Sequence, residues 1–147
     1  MKVVFCLPGR SFSANYFNSW MSTTAELGKR GISYAYSMGY DPVVYYTRNR
    51  ILGGQNTSGR LQKPWQGQLD YDRMIWIDSD MVWKPEDVIA LLSHDKPIIS
   101  GIYPMSDGNS YTVVEKLDYR HLATSGVFQF MDKASMSAKT VPFTASY

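Results

Sequence analysis

Two aspartates one residue apart, Asp78 and Asp80, follow directly on the apolar run Met74-Ile75-Trp76-Ile77. In extended chain, residues i and i+2 point to the same side, so these carboxylates are expected to converge at a strand end. Left alone they repel, and either one keeps its proton or the pair takes a cation. Oxygen ligands suit Mg²⁺ or Mn²⁺, which keep water and substrate phosphate in their remaining positions. A metal held by Asp78 and Asp80 would neutralise a diphosphate and assist its departure. Spacing alone does not carry this reading. Asp70-Tyr71-Asp72 repeats the pattern a few residues earlier. That pair precedes the strand, which predicts a solvated turn at the opposite edge of the sheet.

The elements that must position these groups read as alternating strands and helices. Val3 to Leu7 is a short apolar run stopped by Pro8-Gly9, which predicts a buried strand. Ser13 is a suitable N-cap for a helix in which Phe17, Trp20, Met21, Thr24 and Leu27 recur at helical spacing. Ile32 to Tyr36 reads as a second strand, and Gly39-Tyr40-Asp41-Pro42 as a turn. Val43 to Tyr46 reads as extended, with Thr47 capping a short helix that stops at Gly53-Gly54. Gln55 to Leu69 has no pattern and reads as a loop. Arg73 to Ile77 is the strand before the acidic pair. Pro85-Glu86-Asp87 opens a helix that runs to Ser93, with proline at its first position and acids in its first turn. Strands are also expected within Pro97 to Tyr103, Tyr111 to Lys116 and Gly126 to Met131, and Asp132 is expected to cap a helix through Ala138.

This alternation predicts an α/β fold with a mostly parallel central sheet flanked by helices, and a single domain over 1–147. Ligands of such sheets collect at the carboxyl ends of the strands. That rule selects Pro8-Gly9-Arg10, Asp78-Ser79-Asp80 and Ser100-Gly101. Bulk composition agrees with a globular domain: of 147 residues, 44% are apolar and 19% charged. Aromatics reach 14%, more than a small core needs, so some rings are expected at a surface or pocket, where they suit stacking on bases and sugars. Trp65, in the loop before the acidic strand, is the first candidate for that role, and Trp83 the second. A net charge of +2 is too mild to indicate nucleic acid. The one cysteine, Cys6, rules out an internal disulfide. No apolar run approaches a membrane span or a signal peptide, so a cytoplasmic protein is expected.

The segment Tyr71-Asp72-Arg73-Met74-Ile75-Trp76-Ile77-Asp78-Ser79-Asp80-Met81 resembles the central segment of nucleotide-diphospho-sugar glycosyltransferases of the GT-A fold. So do Pro85-Glu86 opening a helix, Leu91-Leu92, and Pro97-Ile98-Ile99-Ser100-Gly101-Ile102-Tyr103-Pro104. Thr47-Arg48-Asn49-Arg50 resembles their Arg-Asn element, and Thr124-Ser125-Gly126-Val127-Phe128 their small-residue strand near sugar and acceptor. The resemblance implies a Rossmann-like GT-A fold and a metal-dependent transferase that moves sugar from a UDP- or GDP-sugar donor to an acceptor. It implies that Asp80 ligates Mn²⁺ or Mg²⁺ and that Asp78 contacts the metal or the ribose, beside Ser79. The loop Leu7-Pro8-Gly9-Arg10 would touch base and ribose, and Arg48 would approach the phosphates, whose oxygens suit a guanidinium. Trp65, Ser100, Gly101, Ser125 and Gly126 are the candidate sugar or acceptor contacts.

The family continues well past the final strand, with an acidic base in inverting members and often a late histidine on the metal. The segment after Val141-Pro142-Phe143 that would carry them is missing, so no catalytic base is assigned. Two alternatives follow. One is a nucleotide-sugar-binding module with weak or no catalysis. The other is a haloacid-dehalogenase-type phosphatase with Asp78 as nucleophile, which would need its motif on the first strand and a later acidic pair.

Overall fold

The computed structural model describes residues 1–54 and 63–137. By contacts the chain divides into two compact units, Met1–Ser93 and His94–Tyr147. Residues after 137, and most of the expected loop from Gln55, lie outside the described residues.

The first unit is α/β. Strand β1 (Lys2–Pro8) leads into helix α1 (Ala14–Lys29), then strand β2 (Ser33–Gly39), helix α2 (Val44–Ile51), strand β3 (Arg73–Trp76) and helix α3 (Pro85–Ser93). The strands form an open, all-parallel sheet in the order β2-β1-β3. This arrangement is compatible with a Rossmann-like fold. Central β1 is buried from Val3 to Pro8, as expected of a strand covered on both faces.

Alternation along the strands sorts their side chains between two cores. Val3, Phe5 and Leu7 of β1 join Ile77 and the inner sides of α1 and α3, through Tyr16, Leu27, Val88 and Leu92. Val4 and Cys6 face the other way, onto Ile51 of α2, with Met74 and Trp76 of β3 packed against them. Helices therefore cover both faces of the sheet.

Local chemistry explains most boundaries. Ser13 Oγ accepts from Tyr16 N at 3.0 Å and starts α1. The buried stripe of α1 is Tyr16, Ser19, Thr23 and Leu27, turned by about one position from the apolar stripe expected from sequence. Phe17 and Met21 are exposed instead. Trp83 engages the polar members of that stripe: its backbone N–H donates to Ser19 Oγ (3.2 Å) and its indole Nε1–H donates to Thr23 Oγ1 (2.9 Å). Helix α2 starts before the expected Thr47. Val43-Val44-Tyr45-Tyr46 favour extended chain, but Thr47 Oγ1 accepts from Asp41 N (2.7 Å) and donates to Asp41 O (2.9 Å). That closure winds the segment from Val44 onward.

The second unit departs furthest from the sequence reading. None of its three expected strands forms. Residues 97–103 carry exposed Ile98, Ile99 and Ile102, and among the described residues strand pairing here is limited to two isolated antiparallel bridges, Pro104–Tyr111 and Ser110–Asp132. A turn at Asp107–Ser110 brings them about, with Asp107 Oδ1 accepting from Asn109 N and Ser110 N. Helix α4 (Tyr119–Ser125) takes the place of the small-residue strand near Ser125. Asp118 Oδ1 caps it by accepting from Arg120 N and His121 N, and Gly126 ends it in the left-handed region at φ 75°. Asp132 does cap a helix, α5 (Lys133–Ser137), through Ser135 N. Among the described residues no helix is long and apolar enough to cross a membrane.

Candidate functional site

At the carboxyl end of the sheet the chain makes three close-set features. After β1, Pro8-Gly9-Arg10 turns toward α1, and Gly9 N donates to Gly39 O at the end of β2 (3.0 Å). After β3, Ile77 N still pairs with Cys6 O (3.1 Å), and Met81 N then donates to Asp78 O (3.1 Å), closing a turn over 78–81. The two features touch. A Cβ placed on Gly9 would stand 2.4 Å from Ser79 Cβ and 2.9 Å from its Oγ. Only glycine lets the loops approach so closely. The third feature is Arg48 of α2, whose Nη2 lies 3.7 Å from Asp78 Oδ1. Its guanidinium also sits 5.6 Å from the centroid of the Trp76 ring.

These contacts bring Gly9, Arg48, Asp78 and Ser79 together. They also revise how the acidic pair is presented. Ordered strand stops at Trp76, so Asp78 and Asp80 sit in a turn, where the same-side rule for extended chain does not apply. Both aspartates are exposed, and each can reach a ligand from solvent. The Arg48–Asp78 pair is about half exposed on both sides (52% and 53%). Such pairs contribute about 0–1 kcal/mol, so an incoming anion or cation can separate this one at little cost.

Electrostatics extend into the core. Burial, with the Asp78 charge adding to it, pushes the Tyr16 phenol up to about 12. Its OH donates to Ile77 O at 3.5 Å. Burial likewise pushes the Cys6 thiol up to about 12, which leaves it an inert core residue. Arg10, on the loop after β1, stands 5.9 Å from the Tyr40 ring centroid. Leu7 and Pro8 are buried, so Gly9 and Arg10 present the loop's surface.

The earlier acidic pair lies at the amino edge. Asp72 exchanges hydrogen bonds with the backbone of Lys2, its Oδ2 accepting at 2.7 Å and its N–H donating at 2.9 Å. Asp70 pairs with the Lys2 ammonium, which holds its carboxyl below the usual range. Trp65 packs on the α2-side core of the sheet. Its ring meets Tyr71 edge-on at 5.6 Å and packs on the core of Val4, Cys6 and Ile51. Its backbone N–H donates to Leu52 O (2.6 Å). Trp65 and Gln66 hold left-handed backbone, φ 47° and 55°, a strained state that persists where packing enforces it. Ser100, Gly101, Ser125 and Gly126 are exposed residues of the second unit.

Two carboxylates in one solvent-facing turn fit a hard divalent cation that draws its other ligands from water or a bound phosphate. Among the described residues no group of three or more His, Cys, Asp or Glu gathers around a common point. A cation here would therefore depend on a ligand to complete its shell. No protein-family model, curated protein or solved structure matches the chain.

Proposed function

We propose that the chain is a GT-A-like, metal-dependent glycosyltransferase that binds a UDP- or GDP-sugar at the carboxyl end of its parallel sheet. The observation that supports this reading is the convergence of the Gly9 loop, the Asp78–Asp80 turn and Arg48. The Gly9–Arg10 loop offers backbone and a cation beside the nucleoside. Arg48 offers planar donors to a phosphate once it leaves Asp78. Asp80 and Asp78 would hold Mn²⁺ or Mg²⁺, which would screen the diphosphate and stabilise it as a leaving group. A reducing, cytoplasmic setting suits the single, buried Cys6.

Binding has more support than transfer, and this favours a module with weak catalysis as the second reading. Both histidines, His94 and His121, belong to the second unit, and no base stands in the acidic turn besides its own aspartates. The phosphatase reading has less: the first strand ends in Leu7-Pro8-Gly9, not in an acid.

Asp80→Ala tests the donor site. UDP- and GDP-sugars should raise the thermal midpoint of the native chain in the presence of Mn²⁺, by mass action on the folded state. The variant should lose that rise while its circular dichroism stays native. An unchanged, Mn²⁺-dependent shift in the variant overturns the metal assignment. Release of free sugar from the donor distinguishes a transferase from a binding module.

A further inference from the structure

Helix α1 carries a second stripe that packing within the described chain does not use. Phe17, Met21, Thr24 and Gly28 recur at intervals of four, three and four residues, the spacing of a helix–helix seam. They lie beside the buried stripe of Tyr16, Ser19, Thr23 and Leu27, not on it. Phe17 and Thr24 flank Trp20 at i−3 and i+4. The Trp20 ring meets Tyr34 and Tyr36 edge-on at 5.9 and 5.8 Å, so the stripe lies on the β2 side of α1.

Strand β2 continues the same surface. Among the described residues it pairs only with β1, and its outer row of N–H and C=O groups faces no strand. Tyr34, Tyr36 and Met38 stand on the α1 side, in register with Val3, Phe5 and Leu7. These three and Phe17 and Met21 are between 43% and 59% exposed. Large side chains present about 150–250 Å² each, so five at half exposure give on the order of 500 Å² per copy. A pair of copies would cover about 1,000 Å², the area a specific interface must reach. Edge strands are ordinarily blunted by charge, proline or a bulge. Ser33–Gly39 has no charge and no proline, and its register with β1 is unbroken. The stripe on α1 is uncharged as well, so the surface offers no counter-ion to a charged partner.

A copy of the same chain matches it. Across a two-fold axis, antiparallel α1 helices set Phe17 of each copy against Gly28 of the other, and Met21 against Thr24, because the two pairs share one midpoint in the sequence. Large side chains then meet small ones. An added Cβ at Gly28 meets nothing within 4 Å of its own chain, which leaves room there for a phenyl ring. The same axis brings the two β2 edges together antiparallel, so their free backbone groups pair and two three-stranded sheets become one. Trp20 also meets Phe5 of β1, at 5.1 Å, which sets α1 above the β1–β2 pair. Two such helices would lie about two strand spacings apart, roughly 10 Å, and packed helices lie about 8–10 Å apart.

We propose that α1 and the edge of β2 form the interface of a two-fold homodimer of this chain. The inference is independent of the donor reading, because none of these residues belongs to the acidic turn or the Gly9 loop.

The full chain is weighed by light scattering and sedimentation between about 1 and about 100 μM. It should reach twice the chain mass, dissociate on dilution with a Kd of about 10 μM, and stop at two copies, because a two-fold interface closes on itself. Phe17→Glu with Met21→Glu puts charge into the seam at two exposed positions. This variant should keep native circular dichroism and weaken the dimer at least about tenfold. To read the register, Phe17→Cys and Gly28→Cys chains are mixed and oxidised with diamide; Cys6 is buried and does not compete. The mixed disulfide should form and neither variant should link to itself. Like positions would stand eleven residues apart along the helix pair, about 16 Å, well beyond the roughly 7 Å that a disulfide spans. A chain that stays monomeric at about 100 μM leaves the face to another occupant and overturns the proposal. So does growth past two copies, a glutamate variant as dimeric as the parent, or self-linking in place of the mixed disulfide. Failure of the donor site alone leaves the chain mass unchanged, so the two readings fail separately.

Discussion

Gly9 and Gly28 show how little a residue type says without its surroundings. A methyl group at Gly9 would meet Ser79 Cβ at 2.4 Å. Gly9→Ala should therefore force the two loops apart, cost about 1–3 kcal/mol as an overpacked contact, and abolish Mn²⁺-dependent nucleotide binding. At Gly28, inside α1, an added Cβ meets nothing within 4 Å. Gly28→Ala should stabilise the chain by roughly 0.5–1 kcal/mol, because alanine loses less backbone entropy in a helix. Urea unfolding of the two variants reads both signs, and a destabilised Gly28→Ala with a neutral Gly9→Ala would contradict the packing described. From sequence, Pro8-Gly9 was legible as a strand-ending turn. Its role as the contact surface for Ser79 was not, since the partner is distant in the chain. Arg48 was legible as a phosphate-seeking cation, whereas its pairing with Asp78 depends on the face of α2 that packs on the sheet.

Elements were legible where one pattern dominated. β1, α1, β3 and α3 fall within a residue or two of expectation, because an apolar run, an N-cap and a proline-led first turn each act locally. α2 was misjudged at its start because β-branched and aromatic residues argued for strand while the Asp41–Thr47 closure, a contact across the turn, decided for helix. That closure also positions Arg48, the next residue. Thr47→Val keeps the shape and removes both bonds of a buried hydroxyl. It should cost about 1–3 kcal/mol, as expected when a partner group is left unsatisfied, and should weaken nucleotide binding through Arg48. Amide exchange over α2 and a nucleotide titration check the two effects. The strands expected in the second unit fail for a related reason. A strand needs a neighbour to take its backbone hydrogen bonds, and apolar runs such as Pro97–Tyr103 do not reveal whether one is there.

The fold class of the first unit was legible because alternation and parallel connectivity are properties of the chain as a whole. Its response to alkali is one as well. Cys6 and Tyr16 are both buried acids whose folded-state values are raised, from 9.0 and 10.0 to about 12. The unfolded chain loses these protons first. Their contribution to stability is complete below about pH 9 and fades as pH rises toward about 12, because the unfolded state then binds fewer protons than the native one. The urea midpoint should be lower at about pH 11 than at about pH 8, and Tyr16→Phe should flatten that dependence. A midpoint that rises with pH in this window would contradict the burial of both groups.

The place of Cys6 has one more consequence. It is the chain's single thiol, fully buried in the central strand, in register with Trp76 on β3, and Trp76 lies beneath Arg48. A reagent in solution can find the sulfur only in moments when the sheet comes apart. Its rate of labelling is then a clock for those openings. A molecule seated over Arg48 and the acidic turn would slow that clock without ever touching the sulfur, so occupancy of the outer site can be timed from the middle of the protein.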